Sequence, residues 1–287
     1  MTKDRMTRRD ACVLCQTSVA LSRPEREGYR ICPNCDVTWR LNGAPEHHQS
    51  DWAEDYYQIP AILASYHARI PANMAIVARI ASACPGRGKM LDVGAGLGGL
   101  MQAAAQDGWE VHGIEPSPKG AEVARELTGA DVQVGFLEAM EIPEAEYDLV
   151  TTMDVLRCVS NPMAFLTAAR QVLRPGGVIM VREVYRRAVR PFVSRRRPDA
   201  NRRTRGWEHI QCFSPRSLRY AFRAIGLEGV WIEPSPVFAD SAEKKRLLAL
   251  TKRTIQFASI ALYRSSGRRI LFSPNLLAFG RAPGDSV

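Results

Sequence analysis

The spacing of apolar positions alternates between two periods along the middle of the chain. "KMLDVGAG" opens as a buried strand from Met90 to Val93 and runs into a glycine turn. "LGGLMQAAAQDG" then has the spacing of a helix ending near Gly108. "EVHGIE" and "DVQVGFLEAMEIP" supply a second strand and a third strand with its loop, and "YDLVTTMDVL" a fourth strand ending near Met153 and Asp154. "NPMAFLTAARQVLRPGGVIMVREV" gives a helix, a turn at Pro175-Gly176-Gly177 and a fifth strand. Strand and helix patterns in alternation predict a doubly wound α/β sheet with parallel strands at its centre. Upstream, "AILASYHARIPANMAIVARIASAC" has helical spacing broken by Pro60 and Pro71, which predicts two helices. Downstream, "LEGVWIEP" predicts a sixth strand, "SAEKKRLLALTKRTIQFASIALYRSSGRRILF" a long basic amphipathic helix, and "NLLAFGRA" a last strand.

This pattern divides the chain into residues 1–50, a helical linker or lid at 51–85, and a main domain at 86–287 with inserts at about 185–207 and 236–272. With 46% apolar residues in 287, the chain buries a sizeable core. "MTKDRMTRRD" has no secretory pattern and no apolar run reaches the length of a membrane span, so a cytoplasmic protein is expected. The net charge of +9 raises anionic small molecules, nucleic acid and anionic lipid as partners without choosing among them.

Seven cysteines in such a chain point to metal binding or burial rather than disulfides. Cys12 and Cys15 form one C-x2-C pair, and Cys32 and Cys35 another. The spacing matches a zinc ribbon, in which four thiolates close a tetrahedral, structural site with no open position. Four unrelated buried thiols, or a redox pair, are the competing readings. His47 and His48 are alternative ligands or surface residues, and Cys84, Cys158 and Cys212 read as packing cysteines.

A strand–glycine turn–helix lets a ligand approach the backbone closely. Glu115 ends the next strand, where an acid accepts both hydroxyls of a ribose. The turn is therefore expected to hold a nucleoside-bearing ligand. Gly94-x-Gly96-x-x-Gly99 alone also fits a dinucleotide fingerprint.

The motifs "LDVGAGLGGL", "VHGIEPSP", "YDLVTTMDVL" and "VLRPGGVIMV", in this order, resemble those of class I S-adenosylmethionine-dependent methyltransferases. The cysteine pairs, the "YY" segment and "WEHIQCFSPRSLRYAFRAIGLEGV" are similar to a subgroup with a zinc ribbon ahead of that domain, some of whose members methylate sugars or other small metabolites. The resemblance implies a mostly parallel seven-stranded sheet with one late antiparallel strand. It implies that Asp92, Gly94, Ala95 and Gly96 meet the methionyl part of the cofactor. Glu115 would bind the ribose diol, and Pro116, Phe136 and Leu137 would border the adenine. Met153 and Asp154 would lie under the methionyl group, though Asp154 also reads as a helix N-cap before "VLRCV". Many relatives place an aspartate where this chain has Phe136, with Glu138 two residues on, and continue with a Glu-His pair where it has Arg157 and Cys158.

Methyl transfer from a sulfonium needs mainly alignment and desolvation, and a base only where the acceptor must lose a proton. His209, beside Glu208, is the candidate base, ahead of Tyr57, Tyr66 and His67. Ten arginines between Arg182 and Arg205 suit a phosphate or carboxylate, or form a solvated loop, and carry no interleaved aromatic signature for RNA. The expected function is methyl transfer from S-adenosylmethionine to a small metabolite such as a nucleotide sugar. An RNA methyltransferase and a catalytically inactive cofactor-binding partner subunit are the alternatives. The apolar face of the late basic helix is expected to cap the substrate pocket.

Overall fold

The computed structural model describes residues 10–24, 29–41, 60–185, 210–236 and 246–284. His47, His48, Tyr57, Glu208, His209 and the arginines from Arg186 to Arg205 lie outside them. Tyr66 and His67 fall in the first helix, but their side chains are not among those described.

Seven strands form the main sheet: β4 (Lys89–Val93), β5 (Glu110–Glu115), β6 (Val132–Val134), β7 (Tyr147–Met153), β8 (Leu173–Val184), β10 (Glu228–Pro234) and β11 (Asn275–Arg281). Their order is β10-β11-β8-β7-β4-β5-β6. The pairs β4–β5, β4–β7, β5–β6 and β7–β8 are parallel. β11 runs antiparallel to both β8 and β10, the one late reversal that the sequence motifs imply. The central strands are covered on both faces, which is why their sequences read as unbroken apolar runs.

Helix α1 (Pro60–Ala83) is a single helix with Pro71 inside it, not the two helices that the proline spacing predicts. Proline removes one hydrogen bond and clashes with the preceding turn. Burial of Ala72, Ile76, Val77, Ile80 and Ala83 on one face outweighs that cost. This face packs with α2 (Gly99–Gln106) and α3 (Pro118–Thr128) on one side of the sheet. On the other side lie α4 (Pro162–Gln171) and α5 (Pro215–Ala224). Helices α3, α4 and α5 share one start signal: a Ser117, Asn161 or Ser214 cap followed by proline, which satisfies a first-turn amide and presets the backbone. Helix α6 (Arg246–Ser265) lies on the edge strand β10, where Tyr263 Oη donates to the Ile232 carbonyl at 3.0 Å.

Two further expectations are revised. Pro175-Gly176-Gly177 is not a turn ahead of the fifth strand but part of β8, taken up where the β7 register shifts between Tyr147 and Leu149. The N-terminal cysteine segment is not closed on itself either. Its strands β1 (Arg23–Pro24), β2 (Tyr29–Ile31) and β3 (Thr38–Arg40) form a sheet whose fourth strand is β9 (Gln211–Cys212), which the main domain contributes. Thr38 pairs with Cys212 and Trp39 with Gln211. Fully buried Trp39, Val37 and Cys35 join the same core as Phe165, Leu218 and Phe222.

Candidate functional site

The glycine turn follows β4 at the carboxyl ends of the parallel strands, where open α/β sheets bind ligands. Gly94, Gly96 and Gly98 all have left-handed backbones, with φ of 77°, 60° and 78°. At Gly94 a Cβ atom would stand 2.3 Å from Val155 Cγ2. Gly94→Ala should therefore cost more than the roughly 1–2 kcal/mol of the left-handed conformation alone. Each kcal/mol lost lowers the melting temperature of a domain this size by about 2–4 °C, which calorimetry reads directly.

The amides of this turn face inward. Gly94 and Ala95 donate to the Ile114 carbonyl at 2.8 and 3.0 Å, and Gly96 donates to Glu115 Oε2 at 2.8 Å. Three used amides make a poor phosphate cradle, which weighs against the dinucleotide fingerprint. Glu115 is 1% exposed, and its Oε1 accepts from the Ser117 amide at 2.9 Å. No cation pairs with it among the described residues. Burial pushes its carboxyl up to about 7, against the pull of the Ser117 and Gly96 amides. Each carboxylate oxygen keeps an acceptor site beyond the one in use, and a buried anion without a cation is a strong acceptor for hydroxyl donors.

Asp92 is 2% exposed and accepts from Thr151 Oγ1 of β7 at 2.7 Å. The backbone of the turn is braced by Glu115, which accepts the Gly96 amide. Burial raises Asp92 from 3.8 to about 6, with the Thr151 hydroxyl opposing. A raised folded pKa means that the folded chain holds the proton more tightly than the unfolded one. This stabilising contribution is complete below about pH 4 and is lost as pH rises through about 6. Asp92→Asn should flatten that part of the stability profile and raise the melting temperature relative to the parent above pH 6. A pH series of thermal melts tests it.

The other expected cofactor neighbours differ in burial. Pro116, Phe136 and Met153 are half-buried, whereas Leu137 is packed into the core. Asp154 caps no helix, since residues 156–158 form a turn, and its own φ is 65°. Its carboxylate takes Arg157 Nη1 at 2.7 Å and Arg182 Nη1 at 2.5 Å. Arg182 Nε also donates to Ser235 Oγ at 3.1 Å. Glu183, 1% exposed, accepts the Arg157 amide at 3.2 Å, and burial lifts its carboxyl to about 7 against the opposing charge of Arg157. Sequence reading took Arg182 only as the first of the arginine-rich stretch and did not single out Glu183. Their signal was two adjacent charges at the carboxyl end of an otherwise apolar strand, "GGVIMVREV".

The four cysteines converge. Their sulfurs all lie within 4.8 Å of one another, with Cys12–Cys35 at 3.5 Å and Cys15–Cys32 at 3.4 Å. Thiolates about 2.3 Å from one zinc would stand about 3.8 Å apart, so the set fits a single tetrahedral ion. The two knuckles repeat one geometry. The backbone carbonyls of Cys12 and Cys32 accept from the amides of Gln16 and Asp36 at 3.1 and 3.0 Å, and both donor residues have left-handed backbones.

The family model described as a methyltransferase domain matches residues 66–231, more than half of the chain. The chain belongs to the methyltransferase-domain family. A ubiquinone biosynthesis O-methyltransferase of Cereibacter sphaeroides is 35% identical over 97 residues, covering 32% of this chain and 39% of the relative. The match therefore spans about two fifths of that curated relative's length. One of the same name from Bordetella avium is 31% identical over 177 residues, covering 56% of this chain and 70% of its own. Among solved structures, an S-adenosylmethionine-dependent methyltransferase of Thermotoga maritima superposes with a TM-score of 0.56 at 16% identity, covering 82% of this chain and 99% of that one, a likeness of fold. The seven-stranded sheet carries the glycine turn and Glu115 at the carboxyl ends of its parallel strands. No helix among the described residues is long and apolar enough to cross a membrane.

Proposed function

We propose that this methyltransferase binds S-adenosylmethionine over the glycine turn and methylates a small-molecule acceptor, with a structural zinc held by Cys12, Cys15, Cys32 and Cys35. The observation that carries the reading is Glu115: a buried carboxylate without a cation partner among the described residues, tied to Gly96 and Ser117 where β5 ends. Its remaining acceptor sites suit the two hydroxyls of a ribose. Asp92, Gly94, Ala95 and Gly96 would border the methionyl part, with Met153 and Asp154 beneath it. Pro116, Phe136 and Leu137 would line the adenine side, Leu137 by way of its backbone because its side chain is in the core. The cofactor, once bound, supplies a methyl group already activated by the sulfonium charge. The chain's own work is then to orient the acceptor, exclude water and take a proton where one must leave. His209 is the proposed base. It immediately precedes Ile210, whose amide donates to the Arg157 carbonyl at 2.9 Å.

A small-molecule acceptor is supported by the relatives, whose names place them in ubiquinone biosynthesis. Calorimetry with S-adenosylhomocysteine tests the cofactor. Release of S-adenosylhomocysteine with a panel of short-chain phenols and quinols, nucleotide sugars and RNA sorts the acceptor. For an anionic acceptor, neutralising Arg195, Arg196 and Arg197 together should raise the Michaelis constant at low salt and leave the maximal rate alone. An RNA acceptor would show a much steeper salt dependence, because many counterions are released together. An unchanged Michaelis constant in the triple variant removes these arginines from acceptor binding.

A further inference from the structure

Gln211 lies where the cysteine module, the sheet and the turn after β7 meet. Its side chain is fully buried, and Trp39 of β3 is its strand partner. Its Nε2 donates to the carbonyls of Leu156 at 2.5 Å and Val159 at 2.7 Å. The amides of Ile210 and Gln211 both donate to the Arg157 carbonyl, at 2.9 and 3.3 Å. On the other side of β9, the Arg40 amide donates to the Ile210 carbonyl at 2.8 Å. The orientation of the Gln211 amide follows from its partners, since the reversed amide would set its oxygen against two carbonyl oxygens.

Residues 155–159 form a turn and belong to no helix or strand. Cys158 N–H donates to the Val155 carbonyl at 2.8 Å, and no helix takes up the carbonyls of Leu156, Arg157 and Val159. All three carbonyls accept from Gln211 of β9 instead, and Arg157 from Ile210 as well. Yet this segment presents Val155 to Gly94 of the glycine turn, and Arg157 to both Asp154 and Glu183. Its placement therefore depends on β9 together with the core packing of Leu156 and Val159 and the Arg157 contacts, and β9 is a strand of the cysteine module's sheet.

We propose that Gln211 is a positioning residue for methyl transfer, and that the four-cysteine module acts through it to fix residues 154–159 beside the glycine turn. The link to methyl transfer rests on the function proposed above, while the link between module and turn rests on the hydrogen bonds alone. A residue that merely fills the core would, when replaced, loosen the whole domain. A positioning residue would free this one segment.

Cys158 is a reporter built into the segment. Its thiol is half-buried, and burial pushes it up to about 11, so little thiolate is present at neutral pH. Cys84, next to the end of α1 and packed against the opposite core, is also half-buried and raised by burial, and serves as the control. The experiment alkylates the full-length, metal-loaded chain with iodoacetamide and reads each cysteine by peptide mass, for the parent, Gln211→Ala and the similarly sized Gln211→Met. The expected result is at least a tenfold faster reaction at Cys158 in both variants, with Cys84 unchanged and metal content equal to the parent's. S-adenosylhomocysteine affinity and the Michaelis constant for S-adenosylmethionine should stay within about threefold, while kcat with the acceptor found by the panel falls at least tenfold. Stripping the metal from the parent should likewise speed Cys158 before Cys84. An unchanged Cys158 rate in a folded variant overturns the proposal, and so does a parallel rise at Cys84. If the parent binds no S-adenosylhomocysteine, the cofactor reading fails, and the link between module and turn is still decided by Cys158.

Discussion

Cys32→Ser is expected to empty the metal site and unfold the segment around it. Apparent binding free energies of structural zinc sites are on the order of 10–16 kcal/mol, and in a module this small that energy is folding energy. Strands β1, β2 and β3 have two or three residues each, too little to hold a sheet without the metal. Because Trp39 and Val37 belong to the main core, the loss should also reach the main domain and lower its melting temperature. Elemental analysis should find one zinc per chain in the parent and none in the variant. A parent that holds no metal when prepared without chelators would refute the site.

Glu115→Ala should weaken cofactor binding by one to two orders of magnitude. Hydrogen bonds to a charged group contribute about 1.5–3 kcal/mol each, and every 1.4 kcal/mol is tenfold in affinity. The substitution also strands the Gly96 and Ser117 amides, so the turn itself should relax. Glu115→Gln separates the two effects, since it keeps an acceptor and removes the charge. With the free carboxyl at about 7, affinity of the parent for S-adenosylhomocysteine should fall as pH drops through that value, and the Gln variant should lack this dependence. Calorimetry across pH 6–8 reads both. Equal affinity of Glu115→Ala and parent would place the ribose elsewhere.

Those features legible from the sequence are the ones encoded locally. The glycine turn, the acid at the end of β5 and the paired cysteines each occupy a few adjacent residues whose chemistry leaves little choice. The parallel sheet follows from apolar runs that must be covered on both faces. What escaped reading depends on contacts between distant segments. Pro71 looks like a break until Ala72, Ile76 and Ile80 are seen to bury against α2. Asp154 looks like a cap until Arg182, on the next strand, takes its carboxylate. β9 has only two residues, so it has no period to detect, and its partner strand lies near the other end of the chain.

The pairing of β3 with β9 also sets an order of events during synthesis. Cys12 through Cys35 leave the ribosome before the main domain, so the four thiols are available to a metal while most of that domain is still unmade. The sheet around that metal stays one strand short until residue 212 emerges, after the glycine turn and five of the seven main strands. The nascent module must wait with the edge of β3 open, and an unpaired edge invites wrong partners. Closure of that sheet follows the release of β7 and β8, because Gln211, the partner of Trp39, lies beyond both in the chain.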